Sequence, residues 1–231
     1  MSNPPTARPF PAFVADATQE PAPYGRWAET LGEEFARACE PHAGEAGARA
    51  DTTEIRWFPE RSWGGRVYVP ASARVETPAG EPVEYFGHVS FVRPEDGSPT
   101  DVRAKADFTD VTADQNPDWN IDLNDDVIGS WRAEADRGGD ITLIWGLPLV
   151  RGAVAATAEI DDVLVDQSPV VEGRFTLVAI DALHGFGDSL YLDVRLWDRE
   201  LRELAAESLY ADDEPEPGEP EPDEPDAEAG T

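Results

Sequence analysis

From Ile141 to Tyr210 the chain alternates apolar and polar residues with a period of two. Ile141, Leu143 and Trp145 form one set, followed by Val154, Ala156, Ala158 and Ile160, then Phe175 and Leu177, then Leu190, Leu192, Val194 and Leu196. Successive side chains of a strand point to opposite faces, so these sets line buried faces while Thr142, Thr157, Glu159, Thr176, Asp193 and Arg195 line the others. Turn residues separate the sets at Asp161-Asp162, at Glu172-Gly173 and at His184-Gly185-Phe186-Gly187-Asp188. Antiparallel strands are expected. The last segment reads two ways, as a stripe of Leu201, Leu204, Ala205 and Leu209 on a helix or as a hairpin turning at Asp198 to Leu201 and returning over Glu203 to Tyr210. The hairpin completes the sheet and is the preferred reading.

A fainter copy of this pattern runs from Glu54 to Asp110. Sliding the chain on itself pairs Leu143 and Trp145 with Ile55 and Trp57, and Ala156, Ala158 and Ile160 with Ala71, Ala73 and Val75. It also pairs Phe175 and Leu177 with Val89 and Phe91, and Val194 and Leu196 with Ala106 and Phe108, at an offset that stays between 85 and 88. Two related β units are therefore expected, with Trp57 and Trp145 anchoring their cores.

Helical spacing occurs in Tyr24 to Cys39, where Trp27, Leu31, Phe35 and Ala38 share a face, Glu33 and Arg37 stand four apart and Pro41 follows the end. A second, shorter helix is predicted over Asp125 to Asp136 from Val127, Ile128, Trp131 and Ala135, closed by Gly138-Gly139. The expected organisation is a Pro-rich disordered arm over 1–23, a helix with the first β unit and a bridging helix over 24–136, the second β unit over 137–210, and a disordered tail of acid-proline steps over 211–231.

Short strands with Gly/Pro-rich turns and no strand-helix alternation indicate a mainly antiparallel β protein, with two tandem β-sandwich units and one N-terminal amphipathic helix. The turn-and-strand rhythm of Gly173 to Tyr210 resembles bacterial immunoglobulin-like modules, without the cysteine pair of antibody domains. The other arrangement that fits is α+β, a duplicated helix on a four-stranded meander, as in cystatin-like folds.

Charge narrows the partners. The 231 residues carry a formal net charge of −30, and the last 21 hold 10 of the 48 acids and no base. Such a chain repels nucleic-acid phosphate and anionic lipid, so the expected partner is a basic protein, with neither nucleic acid nor membrane. Of the 18 bases 17 are Arg, and the lone cysteine, Cys39, excludes an intrachain disulfide and a cysteine zinc site. There is no apolar leader or long apolar run, so a cytoplasmic location is expected.

Candidate chemistry is sparse. Asp114, Asn116, Asp118, Asn120, Asp122 and Asp125 place oxygen donors at positions 1, 3, 5, 7, 9 and 12 of a loop spaced like a calcium-binding EF-hand. Trp119 stands where that loop requires Gly, however, and the same letters read as a strand with Trp119, Ile121 and Leu123 inward. Calcium is the one cofactor considered. His184 near Asp188 is the candidate base-orienter pair of a hydrolase, and Asp125-Asp126, Asp161-Asp162 and Asp212-Asp213 are adjacent carboxylates of the kind that serve glycoside hydrolysis. Trp63, Trp119 and Trp131 lie near turns, where indoles stack on a sugar or an apolar peptide. With no catalytic constellation evident, the expectation is a non-enzymatic binding or accessory protein that engages its partner through the β units or the acidic tail. The alternative is a carbohydrate- or calcium-binding β-sandwich module. Oligomeric state is not legible.

Overall fold

The computed structural model describes residues 27–50, 54–93, 98–132, 138–160, 162–180 and 192–209. The arm over 1–23, the acidic tail, His184 and Asp188 lie outside the described residues. Among the described residues the protein is mainly antiparallel β, with a single long N-terminal helix and three sheets.

Helix α1 (Ala28–Cys39) buries Leu31, Phe35 and Cys39 on one side. Arg37 pairs with Glu34 rather than with the expected Glu33, at 2.6 Å. A 3-10 turn over Glu40–His42 and a short helix over Ala43–Ala46 follow. The first sheet contains β1 (Arg56–Trp57), β2 (Arg61–Trp63), β3 (Arg66–Glu76), β4 (Pro82–Val92) and β5 (Thr100–Thr109). Strands β3, β4 and β5 form a meander, and β1 and β2 both pair with the free edge of β3. Gly64 and Gly65 both take positive φ, the conformation of a two-residue hairpin turn between β2 and β3.

Alternation sorts this sheet into two faces. Val67, Val69, Ala71 and Ala73 of β3, with Val83, Tyr85, Val89 and Phe91 of β4, pack under α1. Each large apolar side chain buried there contributes about 2 kcal/mol. The opposite face carries Tyr68, Phe86 and His88.

The second sheet, ordered β10-β7-β6, contains β6 (Ile121–Arg132), β7 (Gly138–Pro148) and β10 (Phe175–Ile180). The third, ordered β12-β11-β8-β9, contains β8 (Ala155–Ile160), β9 (Val163–Pro169), β11 (Leu192–Trp197) and β12 (Glu203–Ser208). Ile144, Phe175 and Leu177 of the second sheet pack against Ala156, Ala158, Val194 and Leu196 of the third. The other face of the second sheet sets Leu143 and Trp145 against Phe58 and Tyr68 of the first. The layers therefore run helix, sheet, sheet, sheet. Among the described residues no helix is long and apolar enough to cross a membrane.

The terminal hairpin forms as expected, turning between Trp197 and Glu203. The helix predicted over Asp125 to Asp136 does not: its described part is strand β6, and β6 pairs with β7 rather than closing the first unit. A β-bulge between Val127 and Gly129 breaks the period of two. That break spaces Val127, Ile128 and Trp131 like a helical stripe. The two stretches that align at an offset of 85 to 88 also differ in pairing. In the first, β3, β4 and β5 are neighbours in order, whereas their counterparts β8, β10 and β11 are divided between two sheets.

Candidate functional site

The layer between the first and second sheets is unusually polar. In β4 the residues facing the second sheet include Glu84, Phe86 and His88, and the register sets His88 opposite Lys105 of β5. In β6, Asp122, Asn124 and Asp126 pair with Leu147, Trp145 and Leu143 and share their face toward the first sheet. Two charged clusters result.

At the first cluster, Lys105 Nζ donates to Asp126 Oδ1, and His88 Nδ1 lies 3.2 Å from Asp126 Oδ2, off the direction of a well-formed hydrogen bond. The Tyr68 ring stands 5.6 Å from the imidazole. Burial pushes the Asp126 carboxyl up, but His88 and Lys105 together outweigh it and hold the group below its ordinary value. A partly open cleft of about 80 Å³ lies alongside, lined by Phe86 and Trp145, by Gly87 and Ala106, and by Lys105, Asp107, Asp125 and Asp126. Trp145 is wholly buried and its Nε1–H has no acceptor. Its cross-strand neighbour Thr176 is also buried, with an unpartnered hydroxyl. Buried polar groups are nearly always paired, so this concentration marks the layer.

At the second cluster, Arg74 donates to Asp114 at 2.6 Å and to Glu84 at 3.3 Å, with Arg56 3.9 Å from Glu84. Asp122 sits among them, and burial together with the nearby Glu84 charge pushes its carboxyl up to about 6 against the opposing Arg74 and Arg56. Between the unfolded value near 4 and this folded value, the native state binds the extra proton, so this group makes the protein less stable as pH rises from about 4 to about 6. Asp122→Asn is expected to remove that slope and to gain on the order of 2 kcal/mol over the parent at pH 7. Urea titrations of both proteins at pH 4.5 and pH 7 measure the difference. Equal gains at the two pH values would dismiss the explanation.

The sequence candidates are scattered. Asp122 and Asp125 project from opposite faces of β6, and Asp114 lies in the 3-10 turn Ala113–Gln115 bonded to Arg74, so the six expected calcium donors are not gathered. Among the described residues no group of three or more His, Cys, Asp or Glu is arranged to hold a metal ion. The adjacent carboxylates Asp125 and Asp126 likewise face apart, as neighbours in a strand must. Burial and the Asp126 charge raise the Asp125 carboxyl against the opposing Lys105.

Ile121 and Leu123 do point into the core, as the strand reading has it, but Trp119 precedes β6 and is 37% exposed. Trp131 lies at the far end of that strand, roughly 35 Å from Trp119 at strand spacing, so one small ligand cannot touch both. Trp63 packs beside the Phe58, Tyr68, Leu143 and Trp145 core. Trp57 and Trp145 both serve cores, Trp57 half-buried 6.3 Å from Phe35 and Trp145 between the sheets. Burial lifts the Cys39 thiol to about 12, which leaves it inert.

Sequence reasoning overlooked His88, Lys105, Asp126 and Trp145 as a group. His88 and Lys105 meet through strand register, and Asp126 joins them from another sheet. No family model matches the chain, and no curated protein or solved structure matches it.

Proposed function

We propose that this chain is a non-enzymatic intracellular accessory protein that holds a basic protein partner. The supporting observation is how its charges are spent. Arg37, Arg66, Arg74, Arg93, Lys105 and Arg195 are each tied to a carboxylate of the chain itself. Among the described residues, the exposed carboxylates Glu33, Glu76, Glu81, Asp110, Asp118 and Glu172 have no cation within ion-pair distance. With those six cations occupied and 48 acids set against 18 bases, the field outside the protein is that of the surplus acids, to which the 10 acids of the last 21 residues contribute. Such a field steers a basic surface into contact and speeds association, and salt screens it.

Capture from the source organism's lysate tests the reading, with the full chain beside a version ending at Tyr210, each washed at low and high salt. The expected result is enrichment of a basic protein that salt removes. A captured partner that is acidic, or that stays bound in high salt, would overturn the electrostatic reading. Retention by the shortened chain assigns the contact to the β body, and loss assigns it to the tail.

A further inference from the structure

We propose that the cleft between the first and second sheets is a receptor for an arginine side chain of the basic partner, and that Lys105 occupies its carboxylate until that arginine displaces it. The inference rests on the reading that the partner is basic, and it names the contact. The half-buried Phe86 supplies an aromatic wall, with the buried Trp145 behind it and the backbone of Gly87 and Ala106 beneath. Aromatic faces attract cations, and a planar guanidinium stacks on them better than an ammonium does.

In the cleft the carboxylates of Asp107 and Asp126 stand against the single cation Lys105, while the neighbouring Asp125 faces the other side of its strand. Asp126 already accepts an ammonium from Lys105, so its carboxylate is positioned for a cation. Lys105 itself is 63% exposed at the side chain, which leaves it free to swing out into water. An arginine offers two parallel N–H donors to the same carboxylate, an arrangement that a lysine cannot copy.

The indole of Trp145 is an independent indication. It lines the cleft, it is 0% exposed, and its Nε1–H has no acceptor in the protein. A buried donor of this kind calls for an acceptor from a ligand. An arginine within a peptide brings one in its own backbone carbonyl, together with the charge that the carboxylates take.

The test uses the full chain and two capped probes, N-acetyl-arginine amide and its neutral isostere N-acetyl-citrulline amide, followed by NMR of the Trp145 indole N–H. The arginine probe is expected to shift that resonance saturably, and the citrulline probe to do so at least tenfold more weakly. Asp126→Asn should weaken the arginine probe by tenfold or more. Lys105→Met should tighten it several-fold by removing the internal competitor, and because Lys105 is largely exposed this variant is expected to fold. Equal response to the two probes, no shift at 50 mM probe, or a Lys105→Met protein that binds no more tightly would overturn the proposal. Salt-sensitive capture of a basic protein that Asp126→Asn leaves intact would remove this contact and keep the proposed function. Binding of the capped arginine without capture of any basic protein would do the reverse.

Discussion

Arg195→Met is expected to cost about 3 kcal/mol or more of unfolding free energy, measured by urea denaturation at neutral pH. The guanidinium bonds Glu159 at 2.9 Å, Asp193 at 2.8 Å and Glu203 at 3.3 Å. Glu159 is 0% exposed, and its other oxygen accepts from the Thr157 hydroxyl, which in turn accepts from the Trp197 indole. Burial works against the Arg195 charge, and these carboxylates together outweigh it. Removing the cation strands a carboxylate that water cannot reach, and the penalty is the cost of that unpaired charge rather than the worth of the pair. Adding Glu159→Gln to the same protein should recover a large part of the loss, since Asp193 and Glu203 reach water and the double variant has no fully buried charge left to strand. A single variant that loses under 1 kcal/mol would show that Glu159 finds other solvation.

The second large effect is expected at Gly87. A Cβ there would stand 2.1 Å from the Lys105 carbonyl oxygen and 2.8 Å from Ala106 Cα, both backbone atoms of the neighbouring strand. Gly87→Ala cannot be absorbed by a rotamer change, so β5 must move away from β4. A loss of about 3 kcal/mol is expected, at the upper end of ordinary overpacking costs. The displacement also shifts Lys105 relative to Asp126 and alters the lining of the cleft. Gly44→Ala is the control, since nothing lies within 4 Å of its added Cβ and its backbone is helical. That substitution should be neutral or stabilising by a few tenths of a kcal/mol. A Gly87→Ala protein as stable as the parent would mean that β5 is not held at this spacing.

The strands were legible wherever alternation was uninterrupted. β8 and β10 follow directly from their apolar residues, and the hairpin of β11 and β12 follows from Asp198, whose carboxylate accepts from the backbone N–H groups of Glu200 and Arg202. β6 was not legible, because its bulge at Val127 mimics helical spacing and its acids mimic a metal loop. The division of the later strands between two sheets was hidden for another reason. Alternation says which residues share a face but not which strand lies next to which. The candidate site failed to show on the same ground. His88 and Lys105 are 17 positions apart and Asp126 a further 21, and only sheet register and the stacking of two sheets bring them together.

The contrast between the meander and the divided sheets has a consequence for synthesis. β3, β4 and β5 pair with their sequence neighbours, so the first sheet and its helix can close once residue 109 has left the ribosome. β7 must wait for β10, so the second sheet cannot complete until residue 180 has emerged, and the third, which needs β11 and β12, not until residue 208. At about 5 to 20 residues per second, the stretch from residue 109 to residue 180, which completes the sheet that covers the first, takes several seconds. Throughout it Phe58, Tyr68 and Phe86 form a bare apolar face on a nascent chain that has already folded behind them. The seconds between the first sheet and its cover are therefore the period in which this protein is most exposed to misassembly and most in need of a chaperone.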